Sequence, residues 1–382
     1  MALNPGNGNG KGAGIIGRAK AAISSLLQNR DITYGYSCTR VKARKALILR
    51  KQFFEDLLNQ RTLDGMTGML ERTYYKETIS RLSSRYSGSE LLEMAAEVHY
   101  KEVVNKVRSF SPEDARPVLD MLMRKWDILN LRTIISSKRS KKSWEEIMPY
   151  LVSAGELKPA LLRKLVEAEP EKVYGLIKST SLGRALVAQA SSAGGRDFAQ
   201  MLSKAQGDSA VLNELKALLD ASYYNYLEGG IVSSDEDAPV IRLLVSREID
   251  LRNVMNVLRL KRNGASKFSD VEPYLIRGGK LEKALVQKLL DSKGNADAVK
   301  IMRPLFRLEE GEYPSLSALE AALESSLAKE RVRLFYRNPI SLSTLVGFLM
   351  IKEEEMNNLR KIVRGRDYNL PPEEIRPMLV YY

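Results

Sequence analysis

The chain has 382 residues, 44% hydrophobic and 28% charged, with 60 Lys and Arg against 47 Asp and Glu for a formal net charge of +13. One cysteine (Cys38) excludes an intramolecular disulfide and a cysteine zinc cluster; one histidine (His99) excludes a multi-histidine metal site and leaves a Ser-His-Asp triad a single base. The apolar content is enough for a sizeable core, the length suits two or three domains, and the positive excess favours an acidic partner: nucleic acid, an anionic lipid surface or an acidic protein.

In chain order, residues 1–14 are Gly- and Asn-rich and have too little apolar content to fold. A helical apolar pattern runs from Ile15 to Gln28, so residues 1–30 are expected to be a flexible start and an extra helix. Within it, Gly12-Ala-Gly14-Ile-Ile-Gly17 matches a dinucleotide-binding string but follows no strand, and Gly10-Lys11-Gly12 lacks the Ser or Thr of a P-loop. No cofactor is expected. A long helix is expected from Tyr36 to about Leu58, carrying Arg40, Lys42, Arg44, Lys45, Arg50 and Lys51. His99 reads as a half-buried structural side chain, and Tyr223, Tyr224 and Tyr226 as core. Ser233–Asp237 reads as an acidic surface loop. The most apolar stretch, Ile340 to Ile351, is too short to span a bilayer and contains Ser341, Ser343 and Thr344, so it reads as a core helix. Sustained period-2 runs are missing and good helix formers dominate, so the class expected is all-α. The start of the chain has no uninterrupted apolar run of a signal peptide, so the protein is expected in the cytosol.

An internal repeat organises the rest. Asp127-Ile-Leu-Asn130-Leu131-Arg-Thr-Ile134-Ile135-Ser-Ser-Lys138 recurs as Asp250-Leu-Arg-Asn253-Val254-Met-Asn-Val257-Leu258-Arg-Leu-Lys261, and again as Glu355-Met-Asn-Asn358-Leu359-Arg-Lys-Ile362-Val363-Arg-Gly-Arg366. Each copy continues into an acid, an apolar residue and a proline: Glu146-Ile147-Met-Pro149, Asp270-Val271-Glu-Pro273 and Glu374-Ile375-Arg-Pro377. The first two copies then add Gly155-Glu-Leu157 and Gly279-Lys-Leu281; the third ends at Tyr382 and is expected to lack this tail. On a helix the apolar positions form one stripe, and the acid and the Asn three residues later share a face. A polar Asn beside an apolar stripe points to a buried hydrogen bond, so Asp127, Asn130, Asp250, Asn253, Glu355, Asn358, Pro149, Pro273 and Pro377 are expected to be structural. A repeat this long can bury its own core, so three homologous helical-bundle domains are expected at 31–165, 166–290 and 291–382.

Basic residues follow each copy: Lys138, Arg139, Lys141 and Lys142; Arg259, Lys261 and Arg262; Arg360, Arg364 and Arg366. They are either solvated helix ends that complement the dipole or a ring of positive charge for an interface.

These three linked copies, with Tyr34-Gly-Tyr-Ser-Cys-Thr-Arg40-Val-Lys-Ala-Arg44 leading to Phe53-Phe54, resemble the C subunit of archaeal A-type ATP synthases and the related d subunit of V-type proton pumps. The resemblance covers about residues 31 to 382. It implies a funnel of three domains in a pseudo-threefold arrangement, without a nucleotide site or active site of its own. It implies a peripheral place on the cytoplasmic side of the cell membrane, on the rotor ring, with the central stalk of the D and F subunits in its socket. Its implied work is to pass torque between shaft and ring while ion flow drives ATP synthesis, with protons or sodium as the coupling ion. It leaves room for headgroup contact beside the ring. The rival reading, a basic helical scaffold for nucleic acid, rests on the +13 charge; against it, basic and acidic residues are interleaved and there is no base-stacking motif.

Overall fold

The computed structural model describes residues 33–192, 197–230, 237–308 and 313–381. The expectations for residues 1–30 and for Ser233–Glu236 lie outside them. Every regular element among the described residues is helical. The first helix, α1, covers 33–45. It is followed by α2 (Lys51–Leu58), α3 (Leu63–Leu70), α4 (Lys76–Leu82), α5 (Gly88–Phe110), α6 (Ala115–Arg139) and α7 (Trp144–Ile147). Next come α8 (Pro159–Glu167), α9 (Pro170–Ile177), α10 (Ser181–Ser192), α11 (Phe198–Lys204), α12 (Ser209–Gly230) and α13 (Ala238–Arg262). The chain ends with α14 (Phe268–Val271), α15 (Lys283–Asp291), α16 (Asn295–Met302), α17 (Leu316–Arg337), α18 (Leu342–Asp367) and α19 (Pro372–Ile375).

The single helix expected from Tyr36 to Leu58 is in fact two. Arg50 is extended, with φ −86 and ψ 165, and the Leu49 N–H turns away to bond the Glu355 carboxylate at 2.8 Å. A distant, buried acceptor overrides local helix propensity here.

The repeat motifs lie on α6, α13 and α18. Each packs against the long helix that follows it in the repeat: α6 with α12, and α13 with α17. For the third copy that helix is α5, from the start of the chain, which packs on α18. Helix α18 also packs on α17, where Gly347 lets the backbones meet; a Cβ there would lie 2.7 Å from the Phe335 N. Residues 342 to 351 are all buried, as a core helix requires. One continuous apolar core draws on both chain ends, from Tyr34 and Phe54 to Ile375 and Leu379. A second gathers the end of α13, α15, α16 and the start of α17.

The motif helices begin at one end of the molecule. Helix α1 bonds the start of α6 (Tyr34 Oη to Asp114 Oδ2, 3.2 Å), and Cys38 Sγ donates to the Ser341 carbonyl just before α18, 3.4 Å away. Asp237, at the head of α13, accepts from the Ser343 N–H in α18 at 2.9 Å. At 1.5 Å per residue, these helices carry the chain roughly 37 Å to the other end.

Candidate functional site

Each motif helix holds the segment that follows it through the same set of bonds. The Asn130 side chain donates to the Val152 carbonyl and accepts from the Val152 N–H, both at 2.8 Å. Asn253 does the same with Ile276 (2.8 and 2.8 Å), and Asn358 with Val380 (2.7 and 3.0 Å). A primary amide offers one donor and one acceptor side by side, which matches the N–H and C=O of one extended residue. Pro149, Pro273 and Pro377 sit in the single 3-10 turn that ends α7, α14 and α19 and delivers that residue to the amide.

The acid that precedes each of these asparagines anchors the tail. Asp127 accepts from the Glu156 and Leu157 N–H groups at 2.7 and 2.9 Å; Asp250 accepts from those of Lys280 and Leu281 at 2.6 and 2.9 Å. The carboxylate lies so close to the chain that a Cβ on Gly155 would stand 2.3 Å from Asp127 Oδ2, and one on Gly279 2.4 Å from Asp250 Oδ1. This is the physical content of the Gly-x-Leu string. Burial pushes the Asp127 carboxyl up to about 6, although the two N–H bonds pull the other way.

The third copy does not lack a tail: residues 47–58 supply it from the other end of the chain. Glu355 Oε2 accepts from the Leu49 N–H, as Asp127 does from Leu157 and Asp250 from Leu281. Its other oxygen takes the Tyr75 hydroxyl at 2.8 Å and pairs with buried Lys352. The tail helices match in sequence too: Leu49, Phe53-Phe54 and Leu57-Leu58 correspond to Leu157, Leu161-Leu162 and Leu165-Val166, and to Leu281, Leu285-Val286 and Leu289-Leu290.

The last basic residue of each motif caps its tail helix. Lys138 donates to the Val166 carbonyl (2.9 Å) and to that of Ala168. Lys261 donates to the carbonyls of Leu289 (3.1 Å) and Ser292, and Arg366 to that of Leu58 (2.9 Å). Cations here satisfy helix-end carbonyls, and Lys138, Lys261 and Arg366 are each half-buried where they do so. Arg360 is buried, donates to the Pro149 carbonyl at 2.8 Å, and lies 3.7 Å from Glu93. Arg364 grips Glu93 with two bonds, 2.9 and 2.7 Å, and its guanidinium lies over the Tyr150 ring. Arg259 pairs with Glu320 and Arg139 reaches Ser209. Lys141, Lys142 and Arg262 are exposed and make no side-chain bond among the described residues.

The motif helices surround one charged cavity of about 470 Å³. The positions that line it correspond. Two residues before each acid stand Lys125, Glu248 and Glu353; two residues after it stand Leu129, Arg252 and Asn357. Lys125 pairs with Glu353, and Arg331 from α17 reaches Glu354 at 2.5 Å and Glu248 at 3.4 Å. Burial disfavours the Arg331 charge, but Glu248, Glu354 and Glu353 together hold its guanidinium well above the usual range. Removing one partner from such a pair costs about 3–5 kcal/mol, because the other charge is left buried and alone. Sequence reading missed this network; the signal was a charged residue two places before each acid. Tyr223 and Tyr224 line the same cavity and are buried, and His99 packs against Tyr75 with ring centroids 4.3 Å apart and the rings tilted by 38°. Among the described residues no group of three or more His, Cys, Asp or Glu side chains is placed to hold a metal ion.

Residues 37–378 match the model of the ATP synthase (C/AC39) subunit family. The chain belongs to that family. It is similar to the A-type ATP synthase C subunit of Haloferax volcanii, 29% identical over 90% of this chain and 97% of the relative. It is similar also to that of Methanosarcina barkeri, 26% identical over 96% of this chain and 98% of the relative. The C subunit of the Halobacterium salinarum A-type ATP synthase is 28% identical over 91% of this chain and 97% of the relative. No helix among the described residues is long and apolar enough to cross a membrane.

Proposed function

We propose that this member of the family is a non-catalytic coupling part of a rotary ATP synthase, built as three helical units in a closed pseudo-threefold ring. In this reading the first unit runs from α6 to α12 and the second from α13 to α17. The third joins α18 and the C-terminal segment to residues 47–110. The observation that carries it is the correspondence around the cavity: equivalent positions of α6, α13 and α18 face one space, and Glu355 on α18 holds the Leu49 N–H.

A part that passes torque must not shear between its segments. In this reading the buried bond from the Leu49 N–H to Glu355 ties the segment before α2 to α18 and closes the ring, and packed helices resist deformation. The charged cavity lies within the socket in this reading, and the tip of the central stalk of the D and F subunits faces it. The rotor ring is the second partner. The protein works at the membrane periphery, on the cytoplasmic side of the cell membrane.

Reconstitution tests this. The purified chain, mixed with the D and F subunits and with solubilised rotor ring, is expected to bring stalk and ring into one species on size exclusion. Membranes stripped of the chain are expected to lose ion-driven ATP synthesis while the detached head still hydrolyses ATP. Failure of the chain to bind either stalk or ring would overturn the assignment.

A further inference from the structure

A groove of about 540 Å³ opens between the first half of α13, residues 303–307 and the end of α17. Its floor is apolar: Val240, Leu244, Phe306 and Leu334, with Leu243 still 40% exposed at the edge. Among the described residues its walls carry five arginines, at 247, 303, 307, 333 and 337, against a single carboxylate, Glu330. Arg307, Arg333 and Arg337 are exposed and form no ion pair among the described residues. Arg247 donates to the Leu305 carbonyl, but its Nε is buried without a partner among the described residues, and a buried N–H without an acceptor is costly. Basic and aromatic surface continues from the groove onto α1: Tyr336, 55% exposed, lies under the Lys45 ammonium, and Arg40 covers the Tyr36 ring.

We propose that this groove binds an anionic phospholipid, and that this end of the molecule rests on anionic headgroups. The planar guanidinium fork matches the paired oxygens of a phosphodiester. The apolar floor takes the glycerol and first acyl carbons that follow the phosphate. The volume lies in the range of roughly 300–1,000 Å³ usual for sites that hold one small molecule. A nucleic-acid backbone would use the arginines and leave Leu243, exposed at the edge, without a partner. Tyrosines beside Lys and Arg are the side chains favoured at a headgroup layer. The site lies at the end where the motif helices begin, and it needs no partner protein, so it is independent of the coupling role.

Vesicle co-sedimentation of the full chain tests it, with phosphatidylcholine alone and with a third of phosphatidylglycerol. The wild-type chain is expected to bind only the second, and the Arg333→Glu/Arg337→Glu variant at least about tenfold more weakly, since each basic residue near such a surface contributes on the order of 1 kcal/mol. Both positions are exposed and form no ion pair among the described residues, so thermal unfolding should be unchanged; Arg307→Gln probes the opposite wall should that variant fold poorly. Leu243→Ser is expected to weaken binding without altering its salt dependence. Lys164→Glu/Lys172→Glu makes the same change of net charge near the far end of α6 and should bind as the wild type does. Equal loss in that control would show that total charge, not the groove, governs binding, and would overturn the proposal. So would wild-type binding to both vesicles alike, or release by inorganic phosphate at constant ionic strength, which would assign the groove to the free ion.

Discussion

The first two copies and the third solve the same structural problem with different chain. In the first two, the acid on the motif helix holds a tail about 30 residues downstream, and a glycine makes room for the short Asp side chain. In the third, the acid is Glu, the tail lies 306 residues upstream at Leu49, and Leu47 stands where the others have glycine. Glu355 also takes on Tyr75 and Lys352, so one carboxylate joins three segments. A local closure needs only one geometry; a closure between chain ends must also offset the entropy of a very long loop, and it recruits more bonds to do so.

The sharpest way to break this contrast is Glu355→Ala. It leaves Lys352, 3% exposed, without its carboxylate, and the expected loss is about 3–5 kcal/mol. Denaturant unfolding should show it, and hydrogen exchange should rise at residues 48–58 and 376–380 together. Exchange confined to one of the two segments would mean that they are not one unit.

Gly155→Ala and Gly279→Ala come next. Each forces the Asp carboxylate off its two N–H donors, for an expected cost of about 3 kcal/mol, whereas Leu47→Gly is expected to cost far less. Equal losses at the three positions, measured as denaturant midpoints, would contradict the difference drawn between Asp and Glu.

The seam between the first and third copies carries a pH dependence. Glu97 accepts from the Ser153 N–H at 3.2 Å. Burial pushes its carboxyl up to about 7, against the pull of Arg360, that N–H and Lys101, with Glu93 adding to the rise. A folded value above the unfolded one means that the native state holds a proton the unfolded chain has released. The contribution is therefore fully present below about 4.5 and is lost as pH rises through about 7. Glu97→Gln keeps an acceptor for Ser153 and removes the titration. Its stability relative to wild type is expected to improve by on the order of 2–3 kcal/mol between pH 5 and 8. His99 works in the opposite sense: burial first, then Lys352, lowers it to about 3, so its contribution grows as pH rises from there to about 6.5. A flat difference between Glu97→Gln and wild type across that range would remove Glu97 from the account.

The smallest effect lies at the ends of the motif helices. The residue fourteen places after each acid is left-handed in all three copies: Lys141 at φ 48, Gly264 at φ 100 and Asn369 at φ 56. The next N–H closes each helix on the carbonyl five residues back, as in Lys142 to Ser137, Ala265 to Leu260 and Leu370 to Gly365. Only the first copy asks a lysine to adopt this conformation. Lys141→Gly is expected to raise stability by about 1 kcal/mol, and Gly264→Ala to lower it by about as much, both read from thermal unfolding.

Much of this was legible in the residues. The stripe of Leu131, Ile134 and Ile135 with its two counterparts marks helices with one buried face, and an Asn beside such a stripe has to find a partner inside. The helical class followed from composition and period. The tail at Leu49 to Leu58 was also written in the chain, as Phe53-Phe54 and Leu57-Leu58, but a repeat is sought downstream of its motif and this piece lies far upstream.

By itself, then, the sequence determined the helical class and that three helices carry one motif. Only the tertiary structure decided what the charges do. Lys138, Lys261 and Arg366 look like surface bases, yet they end on helix carbonyls, while Lys141 and Lys142 remain in solvent. The reason is physical: hydrophobic period reports which face is buried because burial is non-directional, whereas a charge can be satisfied equally by water or by an acceptor roughly 300 residues away, and only the folded geometry chooses between them.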